Sequence, residues 1–290
     1  MPDKLRLSKK RLTRYIVTYC VRGSIVFLSS LFYSIFMKPL TVAGRAGRQL
    51  AQGVVQLIFP AVCGACGRSL DAEEGAFCSG CRATLTTDPL PSCPRCAASV
   101  GPHAAVEDSC TQCRDSHFRF DKTIRLGPYE GLLREIVLRL KHSTGETLAE
   151  LLGELWAEVA QHRLSAVGAD VVIPVPLHWW RRFRRGYNQS EALAGRLACR
   201  MRLPCRPGWL RRIRHTPQQT SQTPNQRKEN VRGAFRARSW ARLRGKVVLL
   251  VDDVLTTGTT CNEAARALRT GGAARVIVAV LARSHNLGKI

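Results

Sequence analysis

Residues 247–260 read VVLLVDDVLTTGTT, and no other stretch restricts the fold of this chain as tightly. An unbroken apolar run before two acids fits a strand buried on both faces, as in a parallel sheet covered by helices. Asp252 and Asp253 come where that strand leaves the carboxyl edge of its sheet, the place where open α/β folds hold ligands. Thr256, Thr257, Gly258, Thr259 and Thr260 then offer hydroxyls and a backbone able to wrap an anion. Thr260 and Glu263 have capping-box spacing for the following helix, whose N-terminal amides face the same anion. A phosphate cup beside paired carboxylates suits a phosphorylated sugar. The cup takes the phosphate and the acids accept from a ribose diol.

The residues after Phe118 alternate between helical and strand patterns. A short helix is predicted over 132–141. Ser143 and Glu146 have capping-box spacing for the next, in which Leu148, Leu151, Leu152, Leu155, Trp156 and Val159 share one face. Residues 170–175 read as a buried strand stopped by Pro174 and Pro176. Asn188 opens another helix, with Leu193, Leu197 and Met201 at fourfold spacing and Cys199 as a small core residue. Residues 203–245 are basic and rich in Pro and Gln, without clean periodicity, as a functional or mobile segment would be. After the acid-bearing strand comes a helix to Thr270, ended by Gly271 and Gly272, and a last buried strand over 276–281. Strand–helix–strand alternation predicts an α/β fold with a mainly parallel sheet.

Eight of the twelve cysteines form four Cys-x-x-Cys pairs: Cys63/Cys66, Cys78/Cys81, Cys93/Cys96 and Cys110/Cys113. Each pair fits a knuckle turn that aims two thiolates at one ion, and two knuckles complete a tetrahedral zinc site. Eight thiolates allow up to two Zn²⁺ ions. Sequential pairing gives two ribbons and alternating pairing a cross-brace; ribbons are the favoured reading. Four thiolates close each site, so the metals are expected to be structural. Segments this small bury too little apolar surface to fold alone, so metal binding would supply folding free energy. Cys261, beside the Thr/Gly loop, carries an expectation of redox sensitivity.

The formal net charge is +24. From residue 181 to 244 eighteen Lys/Arg face only Glu191 and Glu229, which favours polyanions without choosing among pyrophosphate, nucleic acid and anionic membrane. Trp179, Trp180, Phe183 and Tyr187 are interleaved with these arginines, an arrangement suited to stacking on single-stranded bases, or else packed beneath the site. Asp3 is the only acid among the first sixty residues, and residues 23–37 are uncharged. That run is shorter than the roughly 20 residues of a spanning helix. It reads as a weak membrane anchor or as sequence upstream of the true start; only a real extension would bring membrane association. The expected divisions are a basic and apolar extension over 1–56, a zinc module over 57–116 and the α/β domain over 117–290.

Residues 247–260 resemble the phosphoribosyl-pyrophosphate (PRPP) motif of type I phosphoribosyltransferases. From about residue 57 to 283 the chain resembles the competence protein F (ComF) family. The landmarks are the four cysteine pairs, LRLKHSTGE, VVIPVPLHWWRRFRRGYNQ, RHTPQQTSQTPNQRKENVRGAF and the PRPP motif. The resemblance implies a double zinc ribbon fused to a type I phosphoribosyltransferase domain. It implies that Asp252 and Asp253 hold the ribose hydroxyls and Thr256 to Thr260 the 5′-phosphate. Val175 and Pro176 would belong to the pyrophosphate loop, and Lys141 would lie near the phosphates. Arg185 and Asn188 would contact the ligand, and Thr216, Gln219, Arg227 and Asn230 would belong to a segment that closes over PRPP. Gln222 departs from the Leu frequent in the family. Mg²⁺ would accompany PRPP.

The function expected from these readings is PRPP binding with Mg²⁺ and phosphoribosyl transfer to an acceptor, in the cytoplasm or on the inner face of the membrane. The alternatives are a non-catalytic single-stranded DNA-binding competence protein and a PRPP-sensing regulator. DNA-uptake or recombination proteins would be partners.

Overall fold

The computed structural model of the 290-residue chain describes residues 16–21, 24–29, 61–71, 73–102, 106, 108–214 and 230–284. Two compact units divide the chain, residues 1–63 with 67–78 and residues 64–66 with 79–290. In the first, strands β1 (Ile16–Val21) and β2 (Ser24–Ser29) pair antiparallel. The apolar run of the extension thus enters a strand at its start. Among the described residues no helix is long and apolar enough to cross a membrane. Further along this unit, Cys63 N donates to Arg68 O and Gly67 N to Cys63 O, the bonds of a tight knuckle.

From α1 (Ser79–Thr86) onward the second unit builds a parallel sheet of four strands. These are β3 (Lys122–Pro128), β4 (Val171–Pro174), β7 (Val247–Leu255) and β8 (Arg275–Arg283), in the order β3-β8-β7-β4. Val248 lies level with Val171 on one side and Val276 on the other, so β7 is flanked on both edges. That explains its continuous apolar run.

Helices α2 (Gly131–Arg139), α3 (Glu146–Val159) and α4 (Gln161–Ser165) connect β3 to β4. Then come α5 (Trp179–Arg185) and α6 (Gln189–Met201). A hairpin of β5 (Leu210–Arg212) and β6 (Phe235–Ala237) precedes β7, and α7 (Thr259–Thr270) joins β7 to β8. Side chains of a strand alternate between faces. Val248 and Leu250 accordingly join Leu210, Phe235, Leu243, Ala264 and Leu268 in one core layer. Helix α6 packs against β4 and β7, and α3 packs on α6.

Two sequence expectations are corrected here. Glu146 begins α3, but Gly145 is the N-cap and no side chain caps it, so Ser143 and Glu146 make no capping box. Cys199 is exposed, on the outer side of α6. The described ends of the stretch 203–245 also contribute core: Leu210, Val231, Ala234, Phe235 and Leu243 are buried. Their apolar residues anchor a short hairpin whose rungs are too brief to show a period.

Candidate functional site

Both acids lie inside β7, buried to 8% and 9% exposure. Carboxylates stay buried only when their oxygens are satisfied, and here the partners come from the start of α6. Ser190 Oγ donates to Asp252 Oδ1 at 2.9 Å, and Gln189 Nε2 donates to Asp253 Oδ2 at 3.1 Å. Backbone amides complete the set: Asp253 N donates to Asp252 Oδ1 at 3.0 Å and Val254 N to Asp253 Oδ1 at 2.8 Å. The helix start is itself fixed by Asn188, whose Oδ1 caps Ser190 N at 3.2 Å. Asn188 Nδ2 donates to the carbonyl of Val175 at 3.2 Å, so one residue ties the exit of β4 to the helix that grips the exit of β7.

Burial, then the neighbouring charge of Asp253, pushes Asp252 well above the ordinary carboxylate range, to about 7. Cys261 Sγ lies 3.8 Å from Asp252 Oδ2. Burial and both aspartates drive that thiol well above its usual value. A raised thiol pKa and burial both weigh against the redox sensitivity expected of Cys261.

The Thr/Gly loop follows at once. Gly258 has φ 79° and serves as the N-cap of α7, so the helix starts at Thr259 and Thr260 lies already inside it. The predicted Thr260/Glu263 capping box is therefore absent. Glu263 instead accepts from Gly233 N at 2.8 Å and pairs with Arg266. Thr257 and Thr259 hydroxyls lie 2.8 Å apart across the turn. The first-turn amides of α7 have no intrahelical acceptors by construction, which is what makes a helix start attractive to anions.

The remaining predicted residues fall as follows. Arg185 Nη1 donates to Gln189 Oε1, extending the chain of polar groups that ends on Asp253. Lys141 is half-buried just after α2, and the neighbouring Leu140 carbonyl accepts from buried Tyr187. Val175 is buried and Pro176 half-buried at the β4 exit. Asn230 is half-buried before β6. Thr216, Gln219, Gln222 and Arg227 lie outside the described residues.

Sequence reasoning missed Gln189 and Ser190, whose signal was their place in the first turn after a capping Asn. Arg212, one of many arginines, lies within electrostatic reach of Arg181 and Asp252. Burial, then the charge of Arg181, pulls Arg212 down to about 10, while Asp252 opposes this. Its guanidinium stands 5.4 Å from the Phe235 ring centroid.

Helix α5 has no buried residue. Trp179, Trp180 and Phe183 are 69%, 44% and 78% exposed, and the Trp180 and Phe183 rings stack at 6.2 Å between centroids. The packed-beneath alternative thus fails for these three and holds for Tyr187. A groove of about 410 Å³ opens between α3 and α6 beside Tyr187 and Asn188, lined also by Glu146, Glu150 and Glu191. The two aspartates do not line it.

Cys93, Cys96, Cys110 and Cys113 are all buried, with their sulfurs within 4.8 Å of one another. A tetrahedron with zinc–sulfur bonds of about 2.3 Å has edges of about 3.8 Å. The measured separations are 3.7 Å for Cys93–Cys113, 3.6 Å for Cys96–Cys110 and 3.8 Å for Cys110–Cys113. The third and fourth pairs therefore meet as a ribbon, and the four thiolates fit zinc. In the first unit, Cys78 N donates to Cys63 Sγ at 3.3 Å; Cys66 and Cys81 belong to the second.

Residues 187–289 match the family described as "Phosphoribosyl transferase domain", and residues 54–114 match "Double zinc ribbon domain", which spans all eight paired cysteines. The fold and cysteine geometry thus define a zinc-ribbon protein with a phosphoribosyltransferase-type domain. "Competence protein F" of Haemophilus influenzae is 31% identical over 225 residues, 76% of this chain and 95% of the relative. "DNA utilization protein YhgH" of Escherichia coli K12 is 31% identical over 232 residues, 79% of this chain and 99% of the relative. "Competence protein ComFC" of Bacillus subtilis is 29% identical over 216 residues, 71% of this chain and 84% of the relative. The chain belongs to the competence protein F family.

Proposed function

We propose that the chain binds PRPP with Mg²⁺ and transfers its phosphoribosyl group to an acceptor. One observation carries the reading: a buried acid pair at the carboxyl end of a central strand runs directly into a Thr/Gly turn and a helix N-terminus. In this reading Asp252 and Asp253 accept hydrogen bonds from the ribose hydroxyls, and the loop from Thr256 to Thr260 binds the 5′-phosphate. The exit of β4 at Val175 and Pro176, with Lys141, Arg185 and Asn188, faces the pyrophosphate. Breaking the bond from the anomeric carbon to pyrophosphate leaves positive charge on the ring and negative charge on the leaving group. Cationic side chains placed beforehand stabilise the latter, and holding the sugar at both ends supplies orientation.

The oxygen donors of this edge suit Mg²⁺, a hard cation that binds chiefly through a ligand's own phosphate oxygens. When bound it neutralises developing charge on pyrophosphate. The division into 1–56, 57–116 and 117–290 and a cytoplasmic location, where thiolates stay reduced, go with this reading. Calorimetry with PRPP and Mg²⁺ is the test, and no heat of binding to the wild type sinks it. Pyrophosphate release across a panel of acceptors then separates transfer from sensing.

A second reading, single-stranded DNA binding, is favoured by the exposed rings of Trp179, Trp180 and Phe183 among arginines. The names of the relatives, in competence and DNA utilisation, agree with it. Affinity that falls steeply with salt is expected; no binding at low salt overturns it.

A further inference from the structure

The parallel sheet takes hold of four consecutive carbonyls in the third cysteine knuckle. Thr123 N donates to Pro94 O at 3.3 Å and Thr123 Oγ1 to Arg95 O at 2.8 Å. Arg283 Nε donates to Cys96 O at 3.0 Å, and Arg125 Nη1 to Ala97 O at 2.8 Å. The two arginines sit on neighbouring strands, yet they differ in one respect. Arg125 is neutralised by Asp88, which takes Nε and Nη2 at 2.9 Å and 2.8 Å. Among the described residues, the hydrogen bonds of Arg283 go to backbone carbonyls: Cys96, Leu255 at 3.0 Å, Thr256, and Ser284 at 2.7 Å.

A guanidinium only 5% exposed, held among the described residues by carbonyls, is costly to keep. What it joins explains its presence. Leu255 ends β7 and Thr256 begins the Thr/Gly loop, so one planar side chain spans from the metal knuckle to the start of the anion loop. A second contact runs in parallel. Arg95 donates to the carbonyls of Cys113 at 3.4 Å and Ser116 at 2.8 Å, and lies 5.8 Å from the Phe118 ring centroid. A Cβ at Gly258 would come within 3.1 Å of that ring, so the turn of the loop rests against it.

We propose that Arg283 is a positioning residue through which zinc at Cys93, Cys96, Cys110 and Cys113 sets the shape of the Thr256 to Thr260 loop. Zinc fixes the knuckle, the knuckle fixes the Cys96 carbonyl, and Arg283 carries that constraint to the carbonyls of Leu255 and Thr256. The consequence for phosphate rests on the PRPP reading above; the mechanical link does not.

Hydrogen exchange of peptides covering residues 254–262 tests the link in the full-length, zinc-loaded chain without ligand, with zinc counted by mass spectrometry. Cys113→Ser removes a ligand of this site, and Cys66→Ser removes a thiolate of the first cysteine pair. Arg283→Lys keeps the charge but loses the rigid fork. Loop amides are expected to exchange about tenfold faster in Cys113→Ser and in Arg283→Lys, the latter with zinc content unchanged. Cys66→Ser is expected to leave loop exchange at the wild-type rate. Unchanged loop exchange in Cys113→Ser despite loss of zinc overturns the proposal, as does equal acceleration by Cys66→Ser. If Arg283→Lys does not fold, the two cysteine variants decide. PRPP calorimetry on the same samples keeps the readings apart: a wild type that binds no PRPP defeats the functional reading while the exchange data still judge the link.

Discussion

Two neighbouring stretches invert the usual partition of side chains in opposite senses. Tyr187, Asn188, Gln189 and Ser190 are all buried, and three of them are polar. Just upstream, α5 leaves the rings of Trp179, Trp180 and Phe183 in solvent. Buried polar groups need partners, and here two of those partners are the carboxylates of β7. Exposed rings gain nothing from water and suit a flat partner. In the proposed reading the contrast separates two tasks, gripping a ligand at the strand end and presenting a surface beside it.

The largest effect expected on that contrast is from Asp252→Asn with Asp253→Asn: loss of PRPP affinity by at least about 100-fold in calorimetry, with DNA binding kept. Loss of both together would mean that the two stretches form one site. Trp179→Ala with Phe183→Ala is expected to cost roughly 10- to 100-fold in single-stranded DNA affinity by fluorescence anisotropy. PRPP binding should not change. Ser190→Ala removes the hydroxyl that lowers the Asp252 pKa. We expect about a five- to tenfold loss of PRPP affinity and a pH midpoint of binding displaced upward.

The smallest expected effect is on stability. The folded pKa of Asp252, about 7, is raised above its unfolded value. Its stabilising contribution is therefore complete below the unfolded pKa and is lost as pH rises through about 7. Asp252→Asn should accordingly raise the melting temperature by a few degrees more at pH 8 than at pH 5, read by calorimetric scans. PRPP affinity of the wild type should fall as pH drops through that range, because the protonated acid accepts less well from hydroxyls.

Strands β7 and β8 and helices α6 and α7 were legible because their signals are local: apolar runs, a capping Asn and a terminal Gly pair. Strand β3 was not, since Arg125 stands in its middle. That residue is tolerable only because Asp88, 37 positions away, meets it. The acid pair and loop were equally plain, but the groups that hold them were not. Gln189 and Ser190 become site residues only once α6 is laid against the end of β7. Arg283 has meaning only when the knuckle and the loop are seen together. The two failed capping boxes share a cause: in both, a glycine took the N-cap position.

The pairing of Arg212 with Phe235, continued by Ile213 N donating to Ala234 O at 2.8 Å, holds residues 213 and 234 side by side. Bringing the two ends together in the folded chain settles their loop-closure entropy in advance. A substitution that opens the Arg212–Phe235 rung would therefore release both ends at once, together with the buried Val231 and Ala234.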